Sequence, residues 1–175
     1  MTVLGVNTGR RDRAALESLV LEVVPDPLLF CTHPVRDGHA HHAASVELVP
    51  EAAERAAQAF LARGATVALA DELRGPAEHA RGAALALAAH RRTGRAVRFP
   101  GQHLLRGTLT VEQALATGAV DRIESLGGPL PPGTLLVTHD FVRPVFREGE
   151  LVLEVTPAAK GVIPFELEHQ DICGH

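Results

Sequence analysis

The sequence predicts an α/β fold: a three-layer-like body with a short, mostly parallel sheet and flanking helices, plus a small β-rich C-terminal cap. Short buried apolar runs alternate with segments of helical periodicity over residues 1–99, which is typical of a parallel sheet covered by helices. A proline- and glycine-rich segment occupies residues 127–133. Beyond it, short apolar runs separated by turn residues indicate β-strands.

Strands and helices are expected in strict alternation through the body. The apolar run at 2–6 predicts a strand, and the helical spacing at 12–24 predicts a helix that ends before two prolines. A buried strand is expected at 27–32, followed by a polar, histidine-dense segment at 33–45 to which no element is assigned. The remaining elements of the body are a helix at 50–63, a strand at 65–70, a helix at 77–92 and a strand at 95–99.

The last third of the chain has a different pattern. Thr110, followed by Gln113, is a capping-box match that predicts a short helix ending at Gly118. Four short strands are expected at 134–138, 142–146, 150–156 and 163–167. We therefore expect an α/β body at 1–126, a hinge at 127–133 and a β-rich subdomain at 134–175 packed on the body.

Composition excludes several classes of function. The 175 residues carry a formal net charge of -4, which argues against bulk binding to nucleic acid. Tryptophan and tyrosine are absent, so the chain lacks the usual platform for stacking bases. No apolar run is long enough for a membrane span, and no secretory signal is visible. We expect a cytoplasmic protein that acts on a small molecule, without nucleic-acid or membrane partners; a homo-oligomer is left open.

The first of three candidate metal-binding segments is Cys31-Thr-His33. It lies at the carboxyl end of a predicted central strand, where ligands gather in open α/β sheets. Residues two apart on an extended chain face the same side. Cys31 and His33 are therefore candidate sulfur and nitrogen ligands for one metal ion, with a buried thiol and a loop histidine as the alternative.

The second segment is rich in imidazole. Asp37 is followed by His39, His41 and His42, and neutral imidazoles this close together suit a metal ion. Asp37 would act as a ligand, as a partner of a ligating histidine or as a general base. The alternative is a solvated histidine-rich loop.

The third segment is the tail, where Cys173 and His175 repeat the spacing of Cys31 and His33. Together the two pairs offer the two sulfurs and two nitrogens that zinc prefers. We therefore expect the tail to return to the 31–42 segment and close a metal site, with a frayed terminus as the alternative.

These segments lead to a functional hypothesis. We expect an enzyme of hydrolase type that binds zinc, or another divalent transition metal, and uses a metal-bound water as nucleophile. The candidate ligands are Cys31, His33, His39, His41, Cys173 and His175. Asp37 and Glu78 are the candidate general bases.

Two other functions stay open. A strand at 65–70, the spelling G-x-x-E from Gly75 to Glu78 and an alanine-rich helix followed by Gly94-x-x-Val97 resemble nucleoside deoxyribosyltransferase-like domains. That resemblance covers about residues 28–99 and implies a metal-free enzyme that handles nucleosides or nucleotides through Asp71 and Glu78. The third possibility is a structural zinc protein that binds a partner and has no catalytic role.

Overall fold

The computed structural model describes residues 1–168, which divide after Phe99 into two compact units. The first unit contains six strands and three helices. The strands are β1 (Thr2–Asn7), β2 (Leu29–Asp37), β3 (His39–Leu48), β4 (Thr66–Leu69), β5 (Glu72–Arg74) and β6 (Thr93–Arg98). The helices are α1 (Arg13–Val23), α2 (Pro50–Leu61) and α3 (Ala80–Ala89), the last preceded by a 3-10 turn at Ala77–His79.

The sheet of this unit is antiparallel throughout. Its strands lie in the order β5-β4-β1-β3-β2-β6, and each neighbouring pair is antiparallel. The run from β1 to β4 is a β-α-β-β-α-β unit with the central order β4-β1-β3-β2, the split arrangement of ferredoxin-like folds. The predicted mostly parallel sheet is therefore wrong, although the helices are real.

The strand β3, which the sequence analysis did not recognise, explains why the sheet was predicted to be mostly parallel. The segment at 33–45 forms the second half of β2 and most of β3, which reverse direction at Gly38 with its φ of 72°. Inserting β3 between β1 and β2 makes both neighbours antiparallel to it. Because β3 is covered on both faces and carries small and polar residues, its sequence HAHHAASVEL lacks the clean alternation that marks a half-buried strand.

The two faces of the sheet are buried by different helices. Leu4, Phe30 and Val46 lie in the larger core with residues of α1 and α2. α3 packs on the same strands, where Val35 and Ala43 contact Ala86. This face is closely packed, because a Cβ on Gly5 would collide with the backbone of Ala83. The unit therefore has helices on both faces of an antiparallel sheet.

Local signals account for the helix ends. The Asp12 side chain accepts a hydrogen bond from Ala14 N at 2.9 Å and caps α1. Pro50 occupies the first turn of α2, and the left-handed Gly64 follows its end. None of the helices in residues 1–168 is long and apolar enough to cross a membrane.

The second unit begins at Pro100 and is described by the structure up to residue 168. It contains β7 (Thr108–Thr110), α4 (Val111–Ala116), β8 (Arg122–Ser125), β9 (Leu135–Val137), β10 (Val145–Arg147), β11 (Glu150–Ala158) and β12 (Gly161–Pro164). The order is β10-β11-β12-β9-β7, and β8 pairs with β11 in parallel. The predicted capping box is confirmed, because Thr110 and Gln113 exchange side-chain and backbone hydrogen bonds at the start of α4. The segment 127–133 lies inside this unit.

Candidate functional site

The polar residues of the first unit form two groups on the α3 side of its sheet. Because β1 and β2 are both antiparallel to β3, their carboxyl ends meet the amino end of β3 at one edge. We call the group at this edge the histidine edge; it comprises residues 7–11, His39, His41 and His79. The second group lies under α3 and is called the buried cluster; its members are Cys31, His33, Ser45, Glu47, His90 and Arg91.

Asn7 organises the histidine edge. Its side-chain amide donates to His41 Nε2 at 3.2 Å and to the backbone oxygen of His79 at 3.0 Å. Its Oδ1 accepts a hydrogen bond from Gly9 N at 2.9 Å. Asn7 is itself buried, so this side chain fixes the loop after β1, the start of β3 and the turn before α3 relative to one another.

His41 is held in one neutral tautomer by these contacts. Its Nδ1 donates to the backbone oxygen of His39 at 2.9 Å, so the lone pair lies on Nε2, where Asn7 donates to it. Both ring nitrogens are therefore occupied. A metal ion could bind His41 only if one of these hydrogen bonds were broken.

His39 has the opposite tautomer, and its second ring nitrogen has no hydrogen-bond partner among residues 1–168. Its Nε2 donates to the backbone oxygen of Gly9 at 3.1 Å, which leaves the lone pair on Nδ1. His39 is exposed, and its ring lies 4.9 Å from the His41 ring, centroid to centroid. The edge therefore presents one exposed imidazole whose Nδ1 lone pair is not used by any residue at 1–168.

Arginine residues lie next to the two backbone positions that neighbour His39, which are Gly9, whose oxygen it contacts, and Asp37, its register partner on β2. Arg10 and Arg11 follow Gly9, are exposed, and form no ion pair with any residue at 1–168. Arg81, at the start of α3, lies 3.4 Å from Asp37 at the end of β2. The histidine edge is thus locally basic on a chain with a net charge of -4.

The buried cluster is a continuous chain of hydrogen bonds centred on Ser45. His33 Nε2 and His90 Nδ1 each lie 2.9 Å from Ser45 Oγ, and Cys31 is also within hydrogen-bonding reach of that hydroxyl. His90 Nε2 lies 2.8 Å from Glu47 Oε2. Arg91 closes the cluster with two hydrogen bonds to the same carboxylate, of 2.9 and 3.2 Å.

The charge on Glu47 determines which atoms donate and which accept in this series of hydrogen bonds. Burial raises the pKa of Glu47, but hydrogen bonds and charge from Arg91 and His90 outweigh burial and leave the pKa below its usual value. The ionised carboxylate therefore accepts from His90 Nε2, His90 Nδ1 accepts from Ser45, and Ser45 accepts from His33 Nε2. His33 Nδ1 remains as a buried atom without a partner in the described part of the chain.

Burial disfavours the charged forms of His33, His90 and Cys31. It lowers the pKa of His33 to about 4, with help from the charge of His90, and it lowers the pKa of His90. It raises the pKa of Cys31 to about 12. A protonated, buried thiol is a poor nucleophile. The order carboxylate, imidazole, hydroxyl is that of a catalytic triad, yet Ser45 is fully buried and no substrate reaches it in this conformation.

The structure separates the residues that the sequence grouped into one metal site. Cys31 and His33 belong to the buried cluster, whereas His39 bonds to Gly9 in the loop after β1 and His41 bonds to Asn7 at the end of β1. Asp37 is paired with Arg81, and Glu78 is exposed on the 3-10 turn. Cys173 and His175 lie outside the described residues, so closure by the tail stays a prediction. Within residues 1–168, no three His, Cys, Asp or Glu side chains are arranged to hold a metal ion.

Several residues of both groups escaped the sequence analysis. Asn7, Arg10 and Arg11 lie in the run NTGRRD, where a glycine turn and paired arginines directly after a buried strand were an available signal. Ser45 and Glu47 gave no signal, because β3 was not recognised as a strand. His90 and Arg91 lie 43 and 44 residues beyond Glu47 in the sequence. Their contact with Glu47 arises from the tertiary fold and has no local sequence signal.

The alternative nucleoside site is only partly assembled. Asp71 and Glu72 line a shallow groove of about 350 Å³ between β4, β5 and α3. Apolar alanine and leucine side chains form the rest of its wall. Glu78 is not part of this wall, so the two carboxylates named for that function do not share the groove.

Comparison with protein-family models, with curated proteins and with solved structures found no match to this chain.

Proposed function

We propose that this protein is a small enzyme of hydrolase type whose reaction centre is the histidine edge. His39 is the general base. One observation carries the proposal: His39 donates from Nε2 to the oxygen of Gly9 and so keeps an exposed lone pair on Nδ1. A base held in one tautomer by a backbone acceptor is ready to take a proton from water.

The reaction follows from this geometry. His39 Nδ1 takes a proton from water, and the water oxygen attacks the phosphorus or carbonyl carbon of an ester. A bond from the water oxygen to that centre forms, and the bond to the leaving oxygen breaks. The proton held by His39 then passes to the leaving oxygen, which regenerates the neutral imidazole. Arg10 and Arg11 stabilise the negative charge that develops at the centre.

The other residues of the edge hold His39 in place. The His41 ring lies against His39, and His41 is itself fixed by Asn7 and by the backbone oxygen of His39. Asp37 orients Arg81 toward the same end of the sheet. These residues position the reacting groups, as hydrogen-bonded neighbours do in known catalytic sites.

Zinc remains an alternative way to activate the water. Of the two histidines proposed as ligands at this edge, only His39 has a free ring nitrogen, so the described residues do not supply a full ligand set. No step of the proposed reaction depends on a metal ion. The tail residues Cys173 and His175 would have to complete such a site.

The experiment measures hydrolysis of p-nitrophenyl phosphate, bis-p-nitrophenyl phosphate and p-nitrophenyl acetate by the full chain. We expect His39→Ala to lower kcat/KM at least about 100-fold, the usual contribution of a general base. His103→Ala, which removes an exposed histidine from the second unit, should leave the rate unchanged. Circular dichroism of both variants checks that they remain folded.

Two outcomes contradict the proposal, and a metal control separates it from the zinc alternative. A rate for His39→Ala within a factor of three of the wild type, or no turnover of any of the three esters by the wild type, contradicts the proposal. Assays are repeated after treatment with EDTA, and metal content is measured by elemental analysis. Activity that is lost with EDTA and restored by zinc would favour the zinc enzyme instead.

A further inference from the structure

We propose that the loop after β1, residues 8–11, binds the phosphate group of a small phosphate monoester. This inference rests on the proposed function, because it assigns the substrate class of the same edge. It is carried by the rigidity of the loop, by charge that is unpaired within residues 1–168 and by a buried hydroxyl that lacks a partner.

The loop backbone is held on three sides. Gly9 adopts a left-handed conformation with φ of 67°, and its N–H donates to Asn7 Oδ1 at 2.9 Å. Its oxygen accepts from His39 Nε2 at 3.1 Å. The ring of His79 covers its remaining side, since a Cβ on Gly9 would lie 2.6 Å from His79 Cε1. Such a loop is ordered before ligand binds, which reduces the entropy lost on binding.

The loop also carries charge that the described chain does not neutralise. Arg10 and Arg11 are exposed and unpaired within residues 1–168, unlike Arg63 and Arg74, which bind glutamates elsewhere on the unit. Guanidinium groups recognise phosphate oxygens in pairs of parallel hydrogen bonds. Two adjacent free arginines therefore favour a dianionic ligand.

One buried polar atom of the loop has no hydrogen-bond partner in the described part of the chain. It is Thr8 Oγ1, next to Gly9. A buried hydroxyl without a partner costs about 1–3 kcal/mol. An oxygen of a bound phosphate is an acceptor that this hydroxyl could use.

The number of donors points to phosphate rather than to a carboxylate. Two guanidinium groups and a hydroxyl exceed what two carboxylate oxygens accept with good geometry, whereas a phosphate monoester offers three peripheral oxygens. The net charge of -4 disfavours a long polyanion such as nucleic acid. The fitting ligand is therefore a small molecule with a terminal phosphate.

Binding of inorganic phosphate to the full chain tests this proposal, measured by calorimetric titration at constant ionic strength. The variant Arg10→Ala/Arg11→Ala should bind phosphate at least 10-fold more weakly than the wild type. The control Arg55→Ala/Arg92→Ala removes two other exposed, unpaired arginines and the same net charge, and should bind like the wild type. Thr8→Val should weaken binding without changing charge.

Three results would overturn the proposal. They are equal weakening in both double variants, absence of phosphate binding by the wild type at millimolar concentration, and equal affinity for phosphate and acetate. These failures are distinguishable from failure of the proposed function. If phosphate binds as expected but His39→Ala keeps full turnover, the phosphate site stands and the role of His39 is wrong.

Discussion

Replacing Glu47 with alanine should lower the free energy of unfolding by about 3 kcal/mol, near the lower end of the range for breaking a buried charge pair. The Glu47 side chain is 3% exposed and accepts hydrogen bonds from both His90 and Arg91. Its removal leaves His90 Nε2 without an acceptor in a buried position and opens a cavity. Arg91, whose side chain is half exposed, can turn to solvent, which moderates the loss.

Urea denaturation at pH 7 measures this effect. The matched control is Glu54→Ala, which also removes a glutamate paired with an arginine, Arg74, but at the exposed surface of α2. Exposed ion pairs contribute little to stability, so we expect the control to change the midpoint far less. Equal losses in the two variants would show that the buried cluster is not a stabilising network.

Acid should destabilise the first unit through His33. Burial holds the pKa of His33 at about 4, below the ordinary value of 6.5, so the unfolded chain binds a proton that the folded chain does not. The stability from this group is therefore full above pH 6.5 and is lost as the pH falls toward 4. Between pH 8 and pH 4.5 the loss amounts to about 2.5 kcal/mol. His90, whose pKa is also lowered, acts in the same direction.

His33→Gln isolates this contribution. The glutamine amide can still donate to Ser45, but it does not titrate. We expect the free energy of unfolding of this variant to fall by about 2.5 kcal/mol less than that of the wild type between pH 8 and pH 4.5. The same pH dependence in both proteins would contradict the assignment of His33 as a buried neutral group.

The parts of the fold that the sequence predicts well are those with local causes. Asp12, Pro50 and the capping box at Thr110 act within one helical turn, and the helices near them form as expected. Sheet direction has no such local cause. It depends on whether the segment at 33–48 is a loop or a hairpin, and the alternation in β3 is hidden because helices bury both of its faces.

For the candidate site too, the sequence predicted what has a local signal and missed what depends on the tertiary fold. His39 and His41 were singled out because close imidazoles are visible in the sequence. Their roles were not visible, because the tautomers depend on Asn7 and Gly9, which pair with them only through the sheet. The sequence also treated Cys31 and His33 as partners of His39 and His41. In the fold, Ser45 bonds to the first pair, whereas His39 bonds to Gly9 and His41 bonds to Asn7.

The protonation of the two neighbouring rings tests the central claim most directly. The measurement is a long-range ¹H–¹⁵N correlation spectrum of the histidine side chains at pH 8, before and after addition of inorganic phosphate. We expect neutral His39 to carry its proton on Nε2 and neutral His41 on Nδ1, with the His39 signals shifting when phosphate is added. A proton on Nε2 of His41, or a His39 ring that does not respond to phosphate, would contradict the account.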